Sequence, residues 1–297
     1  YGQSTRVQVY LPARKTYLDC DPGFVRQALE AARSAGATHA QQRLVLDEVL
    51  DLLRQAKDGL TPPAIGDRVH RVVRRVTQAG DPYRALKEQA TREALALYPR
   101  LKALVRGSRD PLDTALRLSI AGNIIDLGPA PKYDLWEVVE RVLAQPFAID
   151  DQDQLRDALR SGTDSALLLG DNAGETVFDR VLVEFLNSAY GLRIVYAVKG
   201  GPSLNDATLE DARAAGLHSA ASVIDNGADA PGTILARCSA AFRKAFDAAP
   251  LILAKGQANY ECLSDLGRGT FFLLQCKCPV IAADVGVPQG SIVLAKL

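Results

Sequence analysis

A chain of 297 residues with 47% hydrophobic and 24% charged residues can bury a sizeable core, as one large domain or two modest ones, and is too apolar to be disordered. Its 35 Lys and Arg balance 35 Asp and Glu, which argues against a dedicated nucleic-acid binder, whose surface carries a basic excess. The longest apolar runs, such as 166–169 and 271–274, fall far short of the ~20 residues that cross a bilayer, and the start of the chain has no apolar signal-peptide core.

Neither nucleic acid nor membrane is therefore an expected partner. Five cysteines, Cys20, Cys238, Cys262, Cys276 and Cys278, are odd in number and irregular in spacing, so a disulfide framework is not expected and a reducing cytoplasm is the simplest compartment. The Cys276-x-Cys278 pair lies in an apolar stretch and reads as packing rather than metal binding. Methionine is absent, so the chain need not be a complete gene product.

The first half has helical periodicity. Val25, Ala28, Leu29 and Ala32 recur at i, i+3, i+4, i+7, as do Leu46, Val49, Leu50 and Leu53, and then Val69, Val72, Val73 and Val76. Pro62-Pro63 and Gly80-Asp81-Pro82 punctuate these helices, and further helices are predicted around 83–97, 112–120 and 135–144. No strand is predicted before about residue 160. The acidic run Asp150-Asp151-Gln152-Asp153 lacks the glycine and terminal glutamate of a calcium loop and reads as a linker or helix start. Beyond it the pattern changes. Short apolar strands are predicted at 165–169, 193–198, 222–224, 251–254, 271–274 and 292–294. Helices are predicted at 175–187, 207–215, 232–245 and 260–266. Such alternation implies a mainly parallel sheet covered on both faces.

The polar residues follow the strands: Gly170-Asp171-Asn172-Ala173-Gly174-Glu175, then Lys199-Gly200-Gly201-Pro202 with Asn205-Asp206, then Asp225-Asn226-Gly227-Ala228-Asp229, then Lys255-Gly256-Gln257-Ala258-Asn259. In a parallel sheet these loops share the carboxyl edge, where open α/β sheets bind ligands. Asp171, Asn172 and Asp206 offer only side-chain oxygens as ligands, which suits Mg²⁺ or Mn²⁺. The same residues could equally cap the helices that follow them. Lys199 and Lys255 each end an apolar strand and precede glycine, where a lysine can reach a phosphate or stand in solvent. The surface reading is the simpler for Lys199, and the phosphate reading for Lys255. Asp225 and Asp229 could orient a ligand, although closing turns is the commoner role. His39, His70 and His218 form no metal motif, and His70, beside a valine stripe, reads as structural. No Walker loop, G-x-G-x-x-G or G-x-S-x-G is present.

In order and context these four loops resemble the damage-control, metal-dependent phosphatases, the family of domain of unknown function 89. Asp81-Pro82-Tyr83 and Ala121-Gly122-Asn123-Ile124-Ile125-Asp126 in the helical half agree. The resemblance runs from about Cys20 to Leu297. It implies an α/β fold: an all-helical domain over 1–160 joined to a three-layer α/β/α domain over 161–297. It implies a divalent metal (Mn²⁺, Co²⁺, Ni²⁺ or Mg²⁺) on Asp171, Asn172 and Asp206. Asp171, Asp206 and Lys255 would be catalytic. Asn123, Glu175, Asn205, Asp225, Lys255, Gly256 and Asn259 would bind a small phosphorylated metabolite. The nucleophile would be a metal-activated water or Asp171. The expected activity is hydrolysis of phosphate monoesters; the alternatives are an S-adenosylmethionine-dependent carboxyl methyltransferase and a non-catalytic metabolite-binding protein. One departure stands out: bacterial and archaeal relatives often begin with C-x-x-C, whereas here Cys20 precedes Asp21-Pro22-Gly23.

Overall fold

The computed structural model describes residues 16–56, 60–124 and 135–297. Ile125 and Asp126 of the motif quoted above lie outside them. Helices α1 (Asp21–Ser34), α2 (His39–Gln55) and α3 (Pro62–Thr77) close a core of their own around Phe24, Ala28, Ala32, Val45, Val49, Val69 and Val73. These are largely the apolar positions that recur at helical spacing. Thr38 starts α2 with a capping box, its hydroxyl accepting from Gln41 N while the Gln41 side chain accepts from Thr38 N.

Helices α4 (Arg84–Gly107), α5 (Pro111–Ile124), α6 (Leu135–Ala144) and α7 (Gln152–Arg160) follow. Between the last two runs a strand that periodicity does not reveal, β1 (Phe147–Asp150). It has four residues at the edge of the sheet with alternating partial burial, too short and too mixed to register as a strand pattern. The acidic run Asp150–Asp153 ends this strand and begins α7, as a helix start should.

Strands β2 (Ser165–Leu169), β3 (Arg193–Val198), β4 (Ser222–Asp225), β5 (Ile252–Lys255), β6 (Phe271–Gln275) and β7 (Ile292–Lys296) complete the sheet. Its order is β1-β7-β6-β5-β2-β3-β4. Every pairing is parallel except β6 with β7. Intervening helices are α8 (Glu175–Tyr190), α9 (Leu209–Ala214), α10 (Ala240–Ala248), α11 (Gly256–Leu263) and α12 (Pro279–Val285).

Strand residues alternate between two cores, as a period of two requires. Leu168, Tyr196, Leu253 and Leu273 face a core shared with α4 to α8. Leu167, Leu169, Ala197, Ala254 and Phe272 face one shared with Phe242 and Phe246 of α10, Tyr260 of α11 and Ile281 of α12. Strands covered on both faces read as continuous apolar runs, which is why β2, β3, β5 and β6 are visible in the sequence. The result is a three-layer α/β/α arrangement with a helical N-terminal part. None of the described helices is long and apolar enough to cross a membrane.

Candidate metal and phosphate site

The order of the strands decides where the site lies. From β2 the chain runs outward through β3 and β4, then returns to the other side of β2 as β5 and β6. The carboxyl ends of β2 and β5 therefore flank a switch point, where the two connections diverge and leave a crevice. Asp171–Gly174 leave β2 on one side of it and Gly256–Asn259 leave β5 on the other.

Close packing holds the loop after β2 against the first turn of α11. Gly256 has φ +76°, and a Cβ there would lie 1.9 Å from Asp171 Oδ2, so only glycine fits. Asn259, fully buried, donates to Gly170 O at 3.2 Å and to Lys255 O at 2.8 Å, and accepts from Thr233 Oγ1 at 2.7 Å. The loop after β3 is stitched to the loop after β2 by the backbone bonds Ala173 N to Asn205 O (2.9 Å) and Ala207 N to Asp171 O (2.8 Å). These bonds set Asn172 opposite Asp206 as a bridge pair. Leu204, just before, takes φ +51°, a strained value for a branched side chain.

Capping does not account for the polar residues. The helix after β2 has Gly174 at its N-cap with no side-chain cap. The helix after β3 is capped by Thr208 with Asp211, not by Asn205 or Asp206. Asp171, Asn172 and Asp206 are nevertheless buried (8, 9 and 3% exposed). Asn123 of α5 reaches them, its Nδ2 donating to Asp171 Oδ2 at 2.8 Å and to Glu175 Oε1 at 2.6 Å. Asn172 Nδ2 also donates to Glu175 Oε1, at 2.7 Å.

Burial, reinforced by the charge of Asp206, pushes the Asp171 carboxyl up to about 6. Burial outweighs the nearby Lys199 and brings Asp206 to about 6, and it outweighs Lys255 and brings Glu175 to about 7. Asp206 Oδ2 has no hydrogen-bond partner; Lys199 Nζ stands 3.5 Å away, an ion pair too long for a good hydrogen bond. A buried carboxylate oxygen left in this state is costly unless a cation completes it. Among the described residues no three His, Cys, Asp or Glu side chains form a metal-binding group. The donors here are two carboxylates and an amide oxygen, a hard set that fits Mg²⁺ or Mn²⁺.

The lysines differ from expectation. Lys199 is not a solvated strand end: it is 2% exposed and donates to Gly232 O at 2.6 Å. Lys255 is fully buried and donates to Ser119 O (2.8 Å), Glu175 Oε2 (3.0 Å) and Asp179 Oδ1 (2.7 Å). With all three protons held, it meets a phosphate only by giving up one of these bonds. Burial pulls its pKa down, but the charges of Asp179 and Glu175 outweigh burial and raise it.

Two residues of the site escape sequence reading. Asp179, one turn beyond Glu175 on α8, is fully buried and bonded to Lys255. Lys277, after β6, is half-buried and without an ion pair among the described residues, yet its charge acts on both Asp171 and Glu175. It follows an apolar strand as Lys199 and Lys255 do, but its neighbours Cys276 and Cys278 draw the attention. Asp225 is not brought into the site; its Oδ1 accepts from Gly227 N at 2.9 Å and closes a turn. A cavity of about 730 Å³ opens between α1, α3 and this sheet edge, lined by Asn205, Gln257, Lys277, Arg26 and Tyr83 among others. Of the substrate residues expected, Asn205 alone lines it; Gly256 and Asn259 pack the first turn of α11 against the loop after β2.

An open α/β sheet with buried oxygen donors and lysines at its switch point belongs to the class that binds small ligands outside the carboxyl ends of its strands. The family model of the damage-control phosphatase ARMT1-like domain matches residues 16–293, and the chain belongs to this family. It is 34% identical over 288 residues to an uncharacterised protein of Methanocaldococcus jannaschii, covering 94% of each chain. It is 36% identical over 235 residues to a damage-control phosphatase of Archaeoglobus fulgidus, covering 77% of this chain and 80% of that one. The crystal structure of a DUF89 family protein from Pyrococcus horikoshii superimposes with a TM-score of 0.86 at 29% identity, over 95% of this chain and 99% of that one.

Proposed function

We propose that this protein is a divalent-metal-dependent phosphatase acting on small phosphorylated metabolites. The observation that carries the reading is the convergence of Asp171, Asn172 and Asp206, buried and free of capping duty, with an Asp206 oxygen that no donor satisfies. Membership of a damage-control phosphatase family favours hydrolysis over the carboxyl methyltransferase and simple binding alternatives. In this reading residues 161–297 supply the chemistry, and residues 1–160 supply Asn123 and the far wall of the cavity.

A bound divalent cation would supply Lewis-acid neutralisation of the charge that develops on a phosphoryl oxygen. Asp171, Asn172 and Asp206 would hold it. Lys277, the half-buried cation facing the cavity, draws the phosphoryl group in and balances its remaining charge. Asn123 orients Asp171 by donating to its Oδ2, which leaves Oδ1 for the cation or for attack. Burial of Asp171, Asn172 and Asp206 limits their contact with bulk water and strengthens their electrostatic interactions relative to a solvated site. The reading is tested by assaying phosphate release from a panel of phosphate monoesters with Mn²⁺, Co²⁺, Ni²⁺ or Mg²⁺ added. Release that stops on chelation and returns with metal is expected. Full activity after exhaustive chelation, or labelled methyl transfer from S-adenosylmethionine in its place, would overturn it.

A further inference from the structure

Behind the ligand set lies a second group of polar side chains, entirely enclosed. Asp179, on α8 one turn after Glu175, is fully buried. Its Oδ1 accepts from Ser119 Oγ at 2.6 Å and Lys255 Nζ at 2.7 Å, and its Oδ2 accepts from Tyr196 OH at 2.7 Å. Lys255 bridges Asp179 and Glu175, two carboxylates that would otherwise repel one another on one helix face. Through Lys255 the order continues outward: Glu175 Oε2 takes the ammonium, which leaves Oε1 to accept both Asn123 Nδ2 and Asn172 Nδ2.

The amide of Asn172 is thereby fixed. With Nδ2 held inward by Glu175, its Oδ1 is the atom left over, and among the described residues no donor reaches it. An amide turned the other way would present N–H protons to a cation. Asp179 also holds Lys255 back. Released from it, this buried ammonium would turn towards the remaining carboxylates, Glu175 and the nearby Asp171, and compete there with a metal for negative charge.

We propose that Asp179 is the positioning residue of the site: it anchors Lys255 against Glu175, and Glu175 then orients Asn172 so that its carbonyl oxygen faces the cation. The inference rests on the reading of Asp171, Asn172 and Asp206 as cation ligands. Partners one shell out from a metal typically change its affinity 10–100-fold when removed.

The experiment is a calorimetric titration of the full chain with Mn²⁺ alone, alongside steady-state kinetics. Asp179→Asn is expected to weaken Mn²⁺ binding by about tenfold or more and to lower kcat in parallel. Asp151→Asn is the control. Asp151 is also buried and bonded, to Lys296 N and Gln154, but lies at the β1 end of the sheet. It should lose thermal stability yet keep the wild-type affinity. Should Asp179→Asn fail to fold, Ser119→Ala and Tyr196→Phe carry the test, since each removes one donor to Asp179 and leaves the charge. A weakening of about tenfold in either supports the role. Wild-type affinity and kcat in folded Asp179→Asn, or in both hydroxyl variants, would overturn it. A wild-type chain that binds no Mn²⁺ would instead remove the metal reading, and this inference with it.

Discussion

At the scale of single residues, Lys255 and Lys277 follow apolar strands in different environments and so predict different outcomes. Lys255→Ala would leave Glu175 and Asp179 buried without their shared cation, and stripping one partner from a buried pair costs about 3–5 kcal/mol. Its unfolding curve should shift by that amount, and a wild-type curve would dismiss the ion-pair account. Lys277 is half-buried with no ion pair among the described residues, so Lys277→Ala should leave stability nearly unchanged. If it meets the phosphoryl group, the substitution should lower kcat/KM by the equivalent of about 2–4 kcal/mol, by analogy with a lost oxyanion donor. Unaltered kinetics would return Lys277 to the wall of the cavity. For Asp206→Asn the structure removes the capping explanation, because Thr208 caps α9. The neutral amide should fold and should weaken Mn²⁺ uptake strongly. Unchanged affinity by calorimetry would exclude Asp206 as a ligand.

Among the elements, α3 carries a distinct acid sensitivity. His70 is buried there with Nε2 unpartnered, and burial, aided by Arg74, lowers its pKa from 6.5 to about 3. Above pH 6.5 the ring is neutral in both folded and unfolded chains and costs nothing. As pH falls below 6.5 the unfolded chain takes up a proton that the folded one refuses, so stability declines by up to about 1.4 kcal/mol per pH unit towards pH 3. Urea unfolding between pH 7 and pH 4.5 should show a shallower decline for His70→Leu than for the wild type; parallel declines would exclude His70 as the source. The same helix anchors the loops of the sheet. Arg74 donates to Asp229 Oδ2 at 2.7 Å and also to Pro202 O. Arg71 and Arg237 both reach Asp229 Oδ1 at 2.9 Å, and both pair with Asp67. Asp229 is thus neither a ligand nor a simple turn residue; it ties α3 to the loops that end β3 and β4.

For the whole molecule, the proposed metal site would link cation binding to folding. Asp171, Asn172 and Asp206 meet at the sheet edge only in the folded chain, so a cation held by them would stabilise the fold. At a hundred times its Kd, Mn²⁺ should add about 2.7 kcal/mol to the free energy of unfolding. Denaturant curves with and without Mn²⁺ measure this directly. The increment should vanish in Asp206→Asn, and an equal increment in that variant would place the metal elsewhere.

Strands buried on both faces write themselves as apolar runs, and residues such as Leu167–Leu169 announced the parallel sheet without help from any contact. The glycine, asparagine and aspartate that follow β2, β3, β4 and β5 announced the edge at which the candidate site residues gather. Local pattern alone determined that much, because strand period, turn chemistry and helix period are properties of neighbours in the chain. What it left open depended on residues far apart. Whether Asp206 caps a helix was decided by the register that sets it against Asn172 and leaves the capping of α9 to Thr208. Whether Lys255 faces solvent or carboxylates was decided by α5 and α8 closing over it, and the burial of Lys199 by the loops that carry Asp206 and Gly232. Asp179 looks in sequence like any polar residue on an amphipathic helix. Only packing against Ser119, Tyr196 and Lys255 makes it a buried charge, because the energy of a charge depends on what surrounds it in space.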